Sequence, residues 1–216
     1  WTKADILTKL INQSGTLSNF TATTGDDTFT VDHSLDQVSG ERGGHDRIES
    51  SVSYELPNNL VADIELSGVL NLNAASWGSG AITGNSGDNI LRKNGLGNFY
   101  YDHATLTGGK GNDLYFARGF MDRNGAKLDE INADKIIDTV IENANEGYDT
   151  ITTTAYNATL PANVEKLVVS GEGMYAWYFP TSTYIVNHFN GNELDNVIDA
   201  SGISSGNPII NRRRRQ

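Results

Sequence analysis

One nonapeptide constrains the fold of this chain more than any other stretch. Residues 108–116 have the sequence Gly-Gly-Lys-Gly-Asn-Asp-Leu-Tyr-Phe, with glycine at positions one, two and four. Glycine tolerates positive φ angles, so such a turn can point successive backbone carbonyls inward. Asp113 at position six adds a carboxylate, and Tyr115 at position eight begins a short strand with an inward side chain. A turn that offers only oxygen ligands suits Ca²⁺.

The composition indicates an acidic, turn-rich β protein. The 216 residues include 23 glycines and no cysteine, which excludes disulfides, thiolate metal sites and cysteine catalysis. The formal net charge is −11, even though residues 212–215 are all arginine. We expect no nucleic-acid partner, because an acidic body repels a polyanion. We also expect no membrane span, because no apolar run approaches the roughly 18 residues required.

A long internal repeat organises the body of the chain. A constant offset of 103 residues relates Asp46 to Asp149 and Gly68 to Gly171. We therefore predict an N-terminal helical cap (residues 1–20), a first repeat unit (21–105), a second unit with two loop insertions (106–202) and a C-terminal tail (203–216). The cap helix is predicted over residues 2–13, where apolar residues fall on one helical stripe.

Partial copies of the nonapeptide supply further candidate ligands. Each places an acid or amide at position six, two residues after a glycine or in a similar Asn-rich turn. In expected order as calcium ligands, the candidates are Asp113, Asp27, Asp46 and Asp149, then Asn89, Asp88, Asp195 and Asn196. For any one of these residues alone, an Asx turn without metal is the alternative interpretation.

The intact nonapeptide and its partial copies resemble the repeats-in-toxin (RTX) calcium-binding family over most of residues 21–202. The resemblance implies an all-β fold, a right-handed parallel β-roll or β-helix of short strands. It also implies Ca²⁺ between successive turns, bound by position-six carboxylates and by backbone carbonyls such as those of Gly108, Lys110 and Asn112. A secreted, extracellular bacterial protein is the expected source of such a module.

The family geometry makes the spacing of these residues testable. Loops on the same side of a roll should lie about 18 residues apart, or two nonapeptides. Asp27 and Asp46 are 19 residues apart, and Asn89 and Asp113 are 24 apart. We therefore expect each pair to lie in neighbouring turns on one side.

An aromatic cluster is the main candidate for contact with a partner. It consists of Tyr175, Trp177, Tyr178 and Phe179, within the second insertion. Exposed aromatics could bind a glycan, cell-surface or protein partner, as in an adhesin. The alternative is that the insertion folds back over an apolar face of the roll.

No motif for catalysis accompanies the repeats. The four histidines lack zinc-site spacing, and no nucleophile elbow, P-loop or dinucleotide fingerprint occurs. We therefore predict a non-enzymatic module whose folding is driven by Ca²⁺, a segment of a larger secreted protein. A carbohydrate-active enzyme built on a parallel β-helix is the alternative.

Replacing Asp113 with alanine should weaken the calcium response more than replacing Asn89, because a carboxylate binds Ca²⁺ more strongly than an amide. Circular dichroism during titration between EGTA and Ca²⁺ measures the response. The reverse ranking of Asp113→Ala and Asn89→Ala would contradict the ligand order.

Overall fold

The structure is a computed structural model that describes most of the chain. The described residues are 15–40, 43–56, 62–77, 80–94, 104–117, 138–155, 157–170, 188–203 and 208–212. The predicted cap helix lies outside them, as does almost all of the two predicted insertions. Within the described residues, no helix has the length and hydropathy needed to cross a membrane.

Eighteen short strands make up the described part of the chain. In chain order they are β1 (Asn19–Ala22), β2 (Thr28–Val31), β3 (Gln37–Gly40), β4 (Asp46–Ser50), β5 (Tyr54–Leu56), β6 (Ala62–Leu66), β7 (Asn73–Ser76), β8 (Ala81–Thr83), β9 (Ile90–Lys93), β10 (Thr105–Thr107), β11 (Leu114–Phe116), β12 (Thr139–Ile141), β13 (Thr150–Thr153), β14 (Ala158–Thr159), β15 (Lys166–Val169), β16 (His188–Asn190), β17 (Val197–Asp199) and β18 (Ile209–Asn211).

The chain alternates between parallel sheets as it advances. The even strands β2 to β12 form a six-stranded sheet, and the odd strands β5 to β17 form a seven-stranded sheet. Strands β1 and β3 pair with each other, and β14, β16 and β18 form a further small sheet. The predicted all-β fold with parallel strands is confirmed, and the arrangement is consistent with a parallel β-roll or β-helix. Its handedness stays a prediction.

Two stacks of apolar side chains fill the space between the sheets. In most strands, buried and more exposed residues alternate, because successive side chains point to opposite faces. The stack in the six-stranded sheet consists of Phe29, Ile48, Ile64, Ile82, Leu106 and Val140. The stack in the seven-stranded sheet consists of Tyr54, Ala74, Leu91, Tyr115, Ile151, Leu167 and Ile198. All thirteen are buried.

Side chains at the turns bind the backbone of the neighbouring turn. Asp46 Oδ1 accepts a hydrogen bond from the Asp27 backbone N–H at 3.0 Å. Asp113 Oδ1 accepts one from Asn89 N–H at 2.6 Å, and Asp149 Oδ1 accepts one from Asp113 N–H at 2.8 Å. We call this series of side-chain acceptors the Asx ladder. The neighbouring-turn pairings expected from spacing, Asp27 with Asp46 and Asn89 with Asp113, are observed.

A second series runs in the opposite sense, one residue earlier in the turns. Asp88 Oδ1 accepts a hydrogen bond from Asn112 N–H at 2.8 Å, and Asn112 Oδ1 accepts one from Tyr148 N–H at 2.9 Å. Both series satisfy backbone donors that lie outside the strands. An unpaired buried N–H would cost free energy comparable to a lost hydrogen bond.

The acceptor side chains also explain glycine at the start of the turns. A Cβ atom on Gly84 would lie 2.3 Å from Asn89 Oδ1, and one on Gly108 would lie 2.1 Å from Asp113 Oδ2. A Cβ on Gly191 would lie 2.3 Å from Asn196 Oδ1. Position one of the nonapeptide is therefore glycine because the position-six side chain folds back over it.

The two copies of the sequence repeat do not place equivalent strands in the same sheet. The offset of 103 residues equates Asp46, the first residue of β4, with Asp149, which directly precedes β13. Strand β4 belongs to the six-stranded sheet and β13 to the seven-stranded sheet. Equivalent residues of the two copies therefore lie in different sheets. The predicted boundaries of the two units stay a prediction.

Truncating a stacked side chain should destabilise the fold. Ile151 is fully buried between Tyr115 and Leu167, so Ile151→Ala should lower the free energy of unfolding by about 2–5 kcal/mol. Thr107→Ala, on the outward face, should change it by no more than about 0.5 kcal/mol. Denaturant unfolding compares the two variants, and equal losses would contradict the assignment of inward and outward faces.

Candidate cation site

Three buried carboxylates converge where the two main sheets meet. Asp113 directly precedes β11, and Asp149 directly precedes β13, the neighbouring strand of the seven-stranded sheet. Glu142 directly follows β12 of the six-stranded sheet. One oxygen from each carboxylate lies within 4.8 Å of the others, and all three residues are buried. We call this group the acid cluster.

Two oxygens of the acid cluster are buried without a hydrogen-bond partner. They are Asp113 Oδ2 and Glu142 Oε2. Their residues expose only 1% and 6% of their surface. A buried acceptor without a partner costs free energy, and a buried charge costs more. A cation placed among these oxygens would remove both costs.

Three other oxygens of the acid cluster are held in place by hydrogen bonds. Asp113 and Asp149 each use Oδ1 in the Asx ladder. The Tyr115 hydroxyl donates to Glu142 Oε1. Tyr115 is itself fully buried in the apolar stack, so its ring fixes where that hydroxyl lies. The cluster is therefore positioned by neighbouring turns and by the core.

Burial raises the pKa of all three acids. Burial raises the pKa of Asp113 to about 7, and repulsion from Asp149 and Asp88 adds to the rise. Burial also raises the pKa of Glu142 to about 8, although the Tyr115 hydroxyl opposes this. The pKa of Asp149 rises to about 6, through burial and then repulsion from Glu165. Burial and the bond to Glu142 raise the pKa of Tyr115 as well.

No basic side chain within the described residues forms an ion pair with the acid cluster. The ion pairs there join His45 to Asp63 and Arg47 to Glu49 and Glu65. The negative charge of the acid cluster is therefore not balanced by protein cations in this part of the chain. This distinguishes the cluster from a structural salt-bridge network.

Glu142 is a site residue that the sequence analysis missed. Thr107 pairs with Ile141, so Glu142 occupies the place in its turn that Gly108 occupies in the preceding one. A Cβ atom on Gly108 would lie 2.6 Å from Glu142 Oε1. Gly108 therefore leaves room for the Glu142 carboxylate. The available signal was an acid directly after an apolar strand, opposite the intact nonapeptide.

Two acids that ranked high in the sequence analysis are not part of the acid cluster. Asp27 Oδ2 accepts hydrogen bonds from Thr23 N–H at 2.7 Å and from Thr23 Oγ1 at 2.8 Å. Asp46 is buried and bonded to the Asp27 backbone. At these two turns the Asx-turn and ladder interpretation describes the observed contacts. The structure joins them to each other but not to Asp113.

The lower-ranked candidates are spread over several turns. Asn89 and Asn196 are buried, and the Oδ1 of each accepts a hydrogen bond from the residue four positions earlier. Their Nδ2 groups donate to backbone carbonyls of an adjacent turn. Asp88 and Asp195 are exposed. The side-chain amides of Asn89 and Asn196 therefore hold turns together through both their oxygen and their nitrogen atoms.

The predicted carbonyl ligands lie in the turn that carries Asp113. Gly108 is buried, whereas Lys110 and Asn112 are exposed, and Asn112 belongs to the second ladder series. The aromatic candidates Tyr175, Trp177, Tyr178 and Phe179 lie outside the described residues. Their predicted role in binding a partner stays a prediction.

Comparison with known proteins gives one relevant relative. The chain is similar to the endo-1,3-1,4-beta-glycanase ExsH of Rhizobium meliloti (strain 1021), with 33% identity over 96 residues. The match covers 44% of this chain and 14% of that protein, so the chain spans a small part of the relative's length. No protein-family model matches the chain. No solved structure matches it significantly.

This similarity corrects one prediction. The sequence analysis predicted a module without enzymatic activity, whereas the relative is by name a glycanase and therefore an enzyme. The absence of a catalytic motif was the basis of that prediction. It was a weak basis, because glycanases act through carboxylates that need no fixed local sequence pattern.

Without added cations, the free energy of unfolding should fall between about pH 5 and about pH 8. The raised pKa values of Asp113, Glu142 and Asp149 keep these groups protonated in the folded state at the lower pH. In the unfolded chain, ordinary pKa values of about 4 leave them ionised. The folded state thus binds more protons, so its stability is lost as pH rises through about 6 to 8.

Denaturant unfolding in EDTA at several pH values measures this slope. Asp113→Asn is the matched variant, because an amide keeps the acceptor for Asn89 N–H but does not titrate. The free energy of unfolding of Asp113→Asn should depend less steeply on pH than that of the unaltered chain. Stability that increases from about pH 5 to about pH 8 in EDTA would show that the acid cluster is not strained by ionisation.

Proposed function

We propose that this chain is a calcium-binding parallel β-roll of the RTX type, part of a secreted protein that acts on glycans. The observation that carries the calcium assignment is the acid cluster. Two of its carboxylate oxygens, on Asp113 and Glu142, are buried without a partner. Metal binding at such a site becomes folding free energy, because the unfolded chain does not hold the three acids together.

The ligand chemistry favours Ca²⁺ over other common ions. The acid cluster offers carboxylate oxygens, and the turn beginning at Gly108 adds carbonyl oxygens nearby, with no thiolate available in the chain. Zinc and copper prefer sulfur and imidazole ligands, whereas Ca²⁺ accepts six to eight oxygens in a flexible geometry. Mg²⁺ requires a near-ideal octahedron and gives up its water reluctantly.

The proposal is for few ions rather than a continuous row of them. Most position-six side chains are already used as hydrogen-bond acceptors, between turns at Asp46 and within one turn at Asn196. The cation is needed where carboxylate oxygens exceed the available donors, at Asp113 and Glu142. Calcium-driven folding would then centre on the turns between β10 and β13.

The similarity to a glycanase supports the glycan-acting part of the proposal. We place glycan cleavage in the parent protein on residues outside the acid cluster. Glycosidase carboxyl groups stand about 5–5.5 Å or about 6.5–9.5 Å apart and flank the bond that is cleaved. The acid cluster is instead buried at all three residues, where a glycan chain cannot reach both carboxyl groups. Secretion fits the proposed calcium site, because extracellular modules bind Ca²⁺ with dissociation constants of about 10⁻⁴–10⁻³ M.

Calorimetric titration and thermal unfolding of the chain test the calcium assignment. Ca²⁺ should raise the Tm and, at about 100 times its Kd, add about 2.7 kcal/mol of stability. Glu142→Gln should weaken calcium binding by about tenfold or more, because it removes one ligand charge from a buried site. Mg²⁺ at the same concentration should have a smaller effect.

Asp46→Asn is the matched control for Glu142→Gln. Asp46 is buried as Glu142 is, but its carboxylate accepts a hydrogen bond from a backbone N–H. The amide oxygen of asparagine can accept the same hydrogen bond. The calcium affinity of Asp46→Asn should stay near that of the unaltered chain. The assignment is wrong if the unaltered chain shows no heat and no change in Tm with Ca²⁺. It is also wrong if the two variants lose calcium affinity equally.

A further inference from the structure

The outward face of the seven-stranded sheet carries a cluster that the calcium site does not explain. In-register pairing places Glu55, Ala75, Arg92 and Phe116 in one straight row across β5, β7, β9 and β11. The row continues to β17, which gives a length of about 29 Å at roughly 4.8 Å per strand. Trp77 lies just beyond the end of β7, two residues after Ala75, on the same face.

Aromatic rings on this face are held in place, with Trp77 open to solvent and Phe116 partly so. Trp77 is 41% exposed, and its indole N–H donates to Glu55 Oε1 at 3.3 Å. Asn94 Nδ2 donates to the same oxygen at 3.0 Å. The Arg92 guanidinium lies over the half-buried Phe116 ring, 5.4 Å from its centroid. Ordered aromatic and polar groups lose little conformational entropy when a ligand binds.

We propose that this face binds an uncharged β-linked glucan chain, with Trp77 and Phe116 as the stacking platform. The flat face of a β-linked sugar ring consists of C–H groups, so it gains free energy when it covers an exposed aromatic ring. The hydroxyls at the ring edge need donors and acceptors, which Glu55, Arg92 and Asn94 provide. The choice of polymer rests on the proposed link to a glycan-acting protein.

The charge of the face selects an uncharged ligand. Arg92 and Lys166 offset Glu55 and Asp199 on the outward side of this sheet. The chain as a whole carries −11, so it repels anionic polysaccharides. The outward side of the six-stranded sheet differs, because three acids outnumber Arg47 on its β4 and β6 strands and its described residues include no aromatic ring there.

Affinity electrophoresis and calorimetry of the 216-residue chain with a soluble 1,3-1,4-β-glucan test this proposal. The unaltered chain should bind this polymer and should bind dextran, an α-linked neutral glucan, much more weakly. Trp77→Ala and Phe116→Ala should each weaken binding by about tenfold. Trp77→Phe should retain most of the affinity, because it keeps an aromatic ring.

Leu35→Ala is the control for loss of an exposed apolar side chain, since Leu35 is 58% exposed and lies outside this face. It should bind the glucan as the unaltered chain does. Calcium titration of Trp77→Ala separates the two proposals, because its calcium affinity should be unchanged. The glucan proposal fails if the unaltered chain does not bind the polymer, binds dextran equally, or binds as tightly after Trp77→Ala in a folded variant. Each of these results leaves the calcium assignment standing.

Discussion

The hydrogen bond from one turn's backbone N–H to the next turn's side chain is the interaction on which this structure depends. Strand pairing satisfies the backbone only along the short strands, and many donors lie in the turns between them. The side chains of Asp46, Asp113 and Asp149 accept hydrogen bonds from those N–H groups and fix the register of each turn on its neighbour. The two apolar stacks need the same register, because a slip of one residue would turn their side chains to the outer face.

The same side chains connect architecture to chemistry. A carboxylate has more acceptor capacity than one backbone N–H uses, and the surplus is available to a cation where several acids meet in a buried place. That condition is met at Asp113, Glu142 and Asp149. Elsewhere, as at Asp27, a local donor takes up the remaining oxygen. In the proposed calcium site, the local supply of donors therefore decides which oxygens remain for a cation, and a nonapeptide match alone does not settle it.

The sequence predicted the parallel β architecture, the turn pairings and two members of the acid cluster, because these follow from local pattern and spacing. Glu142 was missed because its contact with Asp113 depends on the pairing of β10 with β12, across an insertion that hides the spacing. Asp27 and Asp46 lie outside the acid cluster and their rank as ligands stays a prediction, since sequence does not reveal which oxygens the turn already uses. The absence of enzymatic function was predicted wrongly, because motif absence says little about carboxylate chemistry.

The repeat offset has a consequence for how the two halves of the chain have diverged. Strand β13 comes nine strands after β4, and this odd step carries the second copy to the opposite sheet. Arg47, which pairs with Glu65, corresponds to Thr150, and Glu65 itself corresponds to Val168. Because of this offset, equivalent residues of the two copies lie on different surfaces of the fold. At these equivalent positions, one repeated segment therefore presents charged side chains on one side and uncharged ones on the other.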